Sequence, residues 1–226
     1  MQYEIIGGSF PAVKCHLAKG EVMKCEGGSM SWMDGGMKMS TEGGGGLGKA
    51  LGRALSGENI FFNHYEATND NSEIVFASSF PGVIMPVQLQ PGQSIIAQRE
   101  SFICSEKSVD VSTHYHKKIG SGLFGGMGFF LQKFTGPGFV FLEIDGGLEE
   151  VQLEAGEVKM IDGPHMAIMT EGVKFDIERI KGAKNMLLGG EGLFLTRVEG
   201  PGKVWLQTMP MSGVAGELAK YMPTQG

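Results

Sequence analysis

Three stretches of this sequence repeat one pattern: alternating apolar residues, a turn glycine followed by Glu or Gln, then a second apolar run. They read Val13-Lys-Cys-His-Leu17-Ala-Lys-Gly20-Glu21, Val87-Gln-Leu89-Gln-Pro-Gly92-Gln93 and Val151-Gln-Leu153-Glu-Ala-Gly156-Glu157. The glycines lie 72 and 64 residues apart. The same offsets carry Met37 and Met39 onto Val109 and Val111, and these onto Val173 and Phe175. From the second copy to the third the 64-residue offset holds without a gap, so that residues 122–142 superpose on 186–206. Gly125-Gly126, Phe130-Leu131 and Gly136-Pro137-Gly138 return as Gly189-Gly190, Phe194-Leu195 and Gly200-Pro201-Gly202. The first copy has Leu55 to Phe62 in that place, after a longer Gly-rich lead-in from Gly43 to Gly48, and turns on Thr68-Asn-Asp-Asn-Ser72 instead of Gly-Pro-Gly. Spacing of this kind means one supersecondary unit used three times.

Within a copy the apolar residues recur every second position, the mark of half-buried strands. Val83, Met85, Val87 and Leu89 fall on one face, and so do Val109, Val111, Thr113 and Tyr115. The continuous run Phe139 to Leu142 suits a strand covered on both faces. About six or seven short strands per copy predict an all-β chain of three tandem sandwich-like or barrel-like modules. Their bounds are 1–79, 80–144 and 145–208, followed by a C-terminal helix and tail over 209–226. The Gly-Pro-Gly strings predict hairpin turns, with proline fixing φ and glycine accepting the positive φ that follows. Two short helices are expected, one over Lys49 to Leu55 and one capped by Ser212, carrying Val214, Leu218 and Tyr221, and stopped at Pro223. Modules this small are marginal alone, so packing side by side explains tandem copies and leaves two end faces for self-association.

The 226 residues carry 37 glycines with no G-X-Y period, and 42% of them are hydrophobic, which excludes collagen and disorder. A formal charge of −6 disfavours nucleic-acid binding, since Lys117, Lys118, Lys181 and Lys184 are the nearest thing to a basic patch. Cys15, Cys25 and Cys104 make an odd set without C-x-x-C spacing, read as buried thiols in a reducing compartment. No signal-peptide pattern opens the chain and no apolar run reaches the length of a membrane helix. A cytoplasmic protein is expected.

The best candidate for chemistry is His114-Tyr115-His116, because strand residues two apart share a face and two imidazoles there could meet one metal. A cupin-type site would add a carboxylate soon after, whereas Lys117 and Lys118 follow and the first Glu is Glu143. A solvated strand face or subunit contact is the stronger reading. His16, His64 and His165 are isolated and read as structural. Gly43 to Lys49 lacks the Ser or Thr of a phosphate loop, and Gly120 to Gly126 has no βαβ context. Met30, Met33, Met37 and Met39 are read as core filling ahead of an adaptable surface. Leu123-Phe124 and Leu187-Leu188, at matching positions, are candidates for subunit or partner contact. No catalytic, cofactor-binding or metal residue is assigned.

Gly57-Glu-Asn-Ile-Phe-Phe-Asn-His64, Gly189-Gly-Glu-Gly-Leu-Phe-Leu195 and Gly200-Pro-Gly-Lys-Val-Trp-Leu-Gln-Thr208 resemble a bacterial domain of unknown function. Its eukaryotic relatives are the altered-inheritance-of-mitochondria proteins linked to mitochondrial biogenesis. The resemblance covers nearly the whole chain. It implies a fold similar to the tryptophan RNA-binding attenuation protein (TRAP), a short double-stranded β-helix, with three such modules per chain and a homotrimeric ring. It carries no catalytic residues and no cofactor. Gly163-Pro164-His165 stands where the family pattern suggests Thr-Gly-His, so a different local turn is expected there. The function implied is a non-enzymatic scaffold or interaction protein. A small-ligand or RNA-binding ring and a cupin-like metalloenzyme on His114 and His116 are the alternatives.

Overall fold

The computed structural model describes residues 1–43, 61–117, 129–179 and 194–222. Within them the chain is built from strands, with one short C-terminal helix. After β1 (Gln2–Ile6), the first copy contributes β2 (Ala12–Leu17), β3 (Val22–Glu26), β4 (Met30–Met33), β5 (Met37–Gly43), β6 (Phe61–Ala67) and β7 (Ser72–Ala77). The second contributes β8 (Gly82–Leu89), β9 (Ser94–Gln98), β10 (Phe102–Glu106), β11 (Asp110–Lys117), β12 (Phe129–Thr135) and β13 (Gly138–Asp145). The third contributes β14 (Leu148–Leu153), β15 (Val158–Asp162), β16 (Met166–Thr170), β17 (Lys174–Arg179), β18 (Phe194–Glu199) and β19 (Gly202–Gln207). Helix α1 spans Met211–Ala219.

Four antiparallel pairings recur in every copy. The first and third strands flank the sixth, as in β2-β7-β4, β8-β13-β10 and β14-β19-β16. The second and fourth flank the fifth, as in β3-β6-β5, β9-β12-β11 and β15-β18-β17. Even the irregularities recur, since the third strand slips register against the sixth between Met30 and Trp32, Phe102 and Cys104, and Met166 and Ile168. The turns match as well. Gly20, Gly92 and Gly156 take φ of 86°, 77° and 79°, a region that glycine enters without a Cβ clash. The residue after each glycine explains itself here. Side-chain oxygens of Glu21, Gln93 and Glu157 accept the amide N–H of Ala18, Gln90 and Glu154 at 2.9 Å in all three turns.

Copies are joined by strand pairing. The second strand of one copy takes the third strand of the next, β3 with β10 and β9 with β16. Four sheets result, ordered β1-β2-β7-β4, β5-β6-β3-β10-β13-β8, β11-β12-β9-β16-β19-β14 and β15-β18-β17. Apolar clusters lie between successive sheets. The first unites Leu17 and Ile74 with Ile103, Cys104 and Phe141; another unites Phe102 and Leu142 with Ala167 and Ile168; the last unites Ile96 and Leu131 with Ile161 and Val198. Each cluster therefore draws on two copies. β13 shows why its apolar run is continuous: Phe139 and Phe141 face one cluster, Val140 and Leu142 the next.

Several expectations are corrected. Helix α1 starts at Met211 with Pro210 before it, and the Met211 N–H donates to Asp145 Oδ2 at 2.9 Å, so a carboxylate distant in sequence serves the helix end instead of Ser212. Gly163-Pro164-His165 forms a 3-10 turn at the place where Arg99–Ser101 forms one in the second copy, so the unusual residues keep the turn. Both Gly-Pro bonds of the Gly-Pro-Gly turns are cis, with Gly138 and Gly202 at φ of 133° and 147°. The helix expected over Lys49 to Leu55, the glycine string after Gly43, and the strings 120–126, 123–124 and 187–188 lie outside the described residues.

Candidate functional site

Along β11 the ladder does not keep the strict alternation that the spacing of the histidine pair suggested. Thr113 stands opposite Gln132, yet Tyr115 stands opposite Leu131, so one extra residue interrupts the ladder at His114. A bulge of this kind breaks the alternation. Thr113 and Tyr115 end up on opposite faces, and Tyr115 turns into the last cluster against Phe175, ring centroids 5.1 Å apart. His114 is exposed, and its imidazole is held below the ordinary histidine value by partial burial and then by the Lys133 charge. The side chain of His116 lies outside the described part. Among the described residues no group of three or more His, Cys, Asp and Glu is placed to hold a metal.

His165 Nδ1 lies 2.7 Å from the Gln207 carbonyl, and His16 Nε2 lies 3.8 Å from Glu4 Oε1. His64 is buried on β6, between Lys24 of β3 and Ser40 of β5. All three cysteines are free and buried. Burial pushes the Cys25 thiol up to about 11 and the Cys104 thiol well above its ordinary value, which leaves both as unreactive thiols. Met30, Met33 and Met37 pack against the first cluster, whereas Met39 is exposed. A cavity of about 390 Å³ beside Met1, Glu21, Met23, Glu106 and Lys107 sits over the β3–β10 junction. The terminal amine there contacts Glu21 Oε1 at 2.9 Å.

The arrangement with most to say is the junction between copies. At β3–β10, Ser105 faces Lys24 and Glu106 faces Met23. At β9–β16, Ile168 faces Ala97, Met169 faces Ile96 and Thr170 faces Ile95. Polar groups fix both joints. Arg99 Nη2 donates to Glu26 Oε2 at 2.9 Å, buried Gln132 donates to Glu26 Oε1 at 3.0 Å, and Lys24 Nζ donates to the Val109 carbonyl. One joint further on, Gln98 Nε2 donates to the Gly163 carbonyl at 3.2 Å. Sequence reasoning missed these joints, because the residues that make them are far apart in the chain.

Among the described residues, two strands of the same kind lack this second neighbour. β4 ends its sheet beside β7 alone, and β15 ends its sheet beside β18 alone. Their residues are exposed where their counterparts are buried. Trp32 is 49% exposed against 0% for Cys104 and Ile168, and Met160 is 43% exposed against 0% for Ile96.

The model of the family described as mitochondrial biogenesis AIM24 matches residues 3–209. The chain belongs to this family. An uncharacterised protein of Streptococcus pyogenes serotype M6 is 28% identical over 223 residues, covering 95% of this chain and 88% of its own length. A crystal structure of a Streptococcus pyogenes protein is similar with a TM-score of 0.80 at 23% identity, covering 98% of this chain and 99% of that one. That likeness speaks for the fold alone. Among the described residues no helix is long and apolar enough to cross a membrane.

Proposed function

We propose that this AIM24-family chain is a non-enzymatic, homo-oligomeric scaffold of the cytoplasm. In this reading each protomer holds three TRAP-like modules, bounded at 1–79, 80–144 and 145–208, and three protomers make a ring whose outer surface binds protein partners or membrane-associated assemblies. The observation that carries it is the repeated junction: strand pairing from copy to copy is the device that organises the chain. The first and last copies each stand one such neighbour short. A protein whose parts are joined in this way gains surface and multivalency by adding protomers. The family description, mitochondrial biogenesis, is the motive for proposing protein partners or membrane-associated assemblies.

The experiment is light scattering on the purified full chain at micromolar concentration. Three times the protomer mass is the expected result. A strict monomer overturns the reading.

A further inference from the structure

We infer that copies of this chain join head to tail by pairing the β4 edge of one with the β15 edge of the next, Trp32 entering the last apolar cluster of its neighbour. This rests on the oligomeric reading above and names the surface, the register and the anchor.

The occupant of each open edge follows from the two filled junctions. In both, a second strand receives the third strand of the following copy in one register, Lys24 opposite Ser105 and Ile96 opposite Met169. Carrying that register forward by the repeat offsets puts Met160 opposite Met33, Ile161 opposite Trp32 and Lys159 opposite Asp34. Two of these pairs are apolar and the last is of opposite charge, the combinations that stabilise a cross-strand pair. The joined sheet would read β2-β7-β4-β15-β18-β17, the order found in both complete sheets, with β1 added outside β2. No strand within the described chain fills either edge.

The clusters give a second, independent argument. Two of them take in a pair of third-strand residues from the next copy, Ile103 with Cys104 in one (beside Ile84 and Phe141) and Ala167 with Ile168 in the other. In the last cluster the corresponding pair would be Ser31 and Trp32, which this chain holds on its far edge. The cluster shows the gap. Ile161 keeps 7% exposure, where its counterparts Cys25 and Ala97 keep 0%. A large aromatic that is half exposed in the protomer and fits an incomplete core is the kind of residue that dominates an interface.

The test uses the full chain with Met33→Cys and Met160→Cys combined. The three native cysteines are buried and compete little. Directly opposed cross-strand positions are close enough for a disulfide on mild oxidation. The expected result is a covalent ladder of chains on a denaturing gel, with little from Met33→Cys combined with Lys159→Cys, whose second thiol points to the other face. Trp32→Ala is expected to leave the far-ultraviolet spectrum unchanged and to reduce the native mass to one protomer. An oligomeric native mass without the ladder, or with a disulfide closed inside one chain, overturns the edge pairing and leaves the scaffold reading standing. An oligomer that survives Trp32→Ala overturns the anchor. A monomeric wild type removes both readings together.

Discussion

β9 and β15 occupy the same place in successive copies, and their surroundings differ in one respect. β9 lies between β12 and β16, with Ile95 to Gln98 all buried, whereas β15 lies beside β18 alone, with only Ile161 buried. β10 and β4 repeat the contrast on the other side of the junction, as Cys104 and Ser105 are enclosed while Trp32 is open. Met160 against Ile96 and Trp32 against Cys104 are apolar at both places, so there the neighbour decides the burial, whereas Lys159 and Asp162 stand where β9 has Ile95 and Gln98. An apolar residue on an unfilled edge is then a statement about what comes next to it, and a long apolar edge left open is a place for another chain.

The largest expected effect contrasts one substitution at the two places. Ile96→Asp puts a charge into a fully enclosed joint and should cost at least about 4 kcal/mol, enough to abolish folding. Met160→Asp, at the matching open position, should change the stability of the dilute protomer by less than about 1 kcal/mol in urea titration. Equal losses at both sites would erase the distinction between filled and open. Next comes the polar lock of the first joint. Glu26→Ala strands the Arg99 guanidinium and the Gln132 amide, with an expected loss of about 1–3 kcal/mol by chemical denaturation.

A smaller effect depends on acid. Burial raises the Glu21 carboxyl, but bonds from the terminal amine and the Ala18 amide, with the amine's charge, outweigh it and hold the group below its ordinary 4.5. A carboxylate lowered in the folded state adds stability that is complete above its unfolded value and disappears as pH falls through the folded one. Melting temperature should therefore drop more steeply below about pH 4.5 in wild type than in Glu21→Gln, which makes the first turn like the uncharged Gln93 turn. Identical acid profiles would remove that difference between the turns. The least effect belongs to the histidine bulge. His114→Gln should shift stability by less than about 0.5 kcal/mol. Elemental analysis of protein purified without chelator should find no stoichiometric transition metal in either form.

Much of the fold was legible because period and spacing are local or repeated quantities. The alternation around Val87 and Val111 placed strands, the offset of 64 placed β14 to β19 on β8 to β13, and Phe139 to Leu142 was readable as doubly covered. The bulge at His114 was not, since an extra residue in a strand leaves no mark in composition. The start of α1 was missed by two residues because the oxygen that serves it belongs to Asp145. The Glu or Gln after each turn glycine was visible as a pattern, but its reason needed the bond to the amide three residues back. The open edges were hidden for a deeper reason. Trp32, Cys104 and Ile168 are all apolar, and which of them faces water depends on strand order across the whole chain.

The clusters that unite Leu17 with Phe141 and Ile96 with Val198 have a genetic corollary. A deletion or duplication within the gene could drop or gain a copy. Losing the middle one would leave β3 and β16 to meet as new partners, Lys24 now across from Met169, and would orphan the half-cores on both sides at once. The number three is thus protected by the interlocking of its parts, and a descendant with two or four would have to rewrite residues at every border it created.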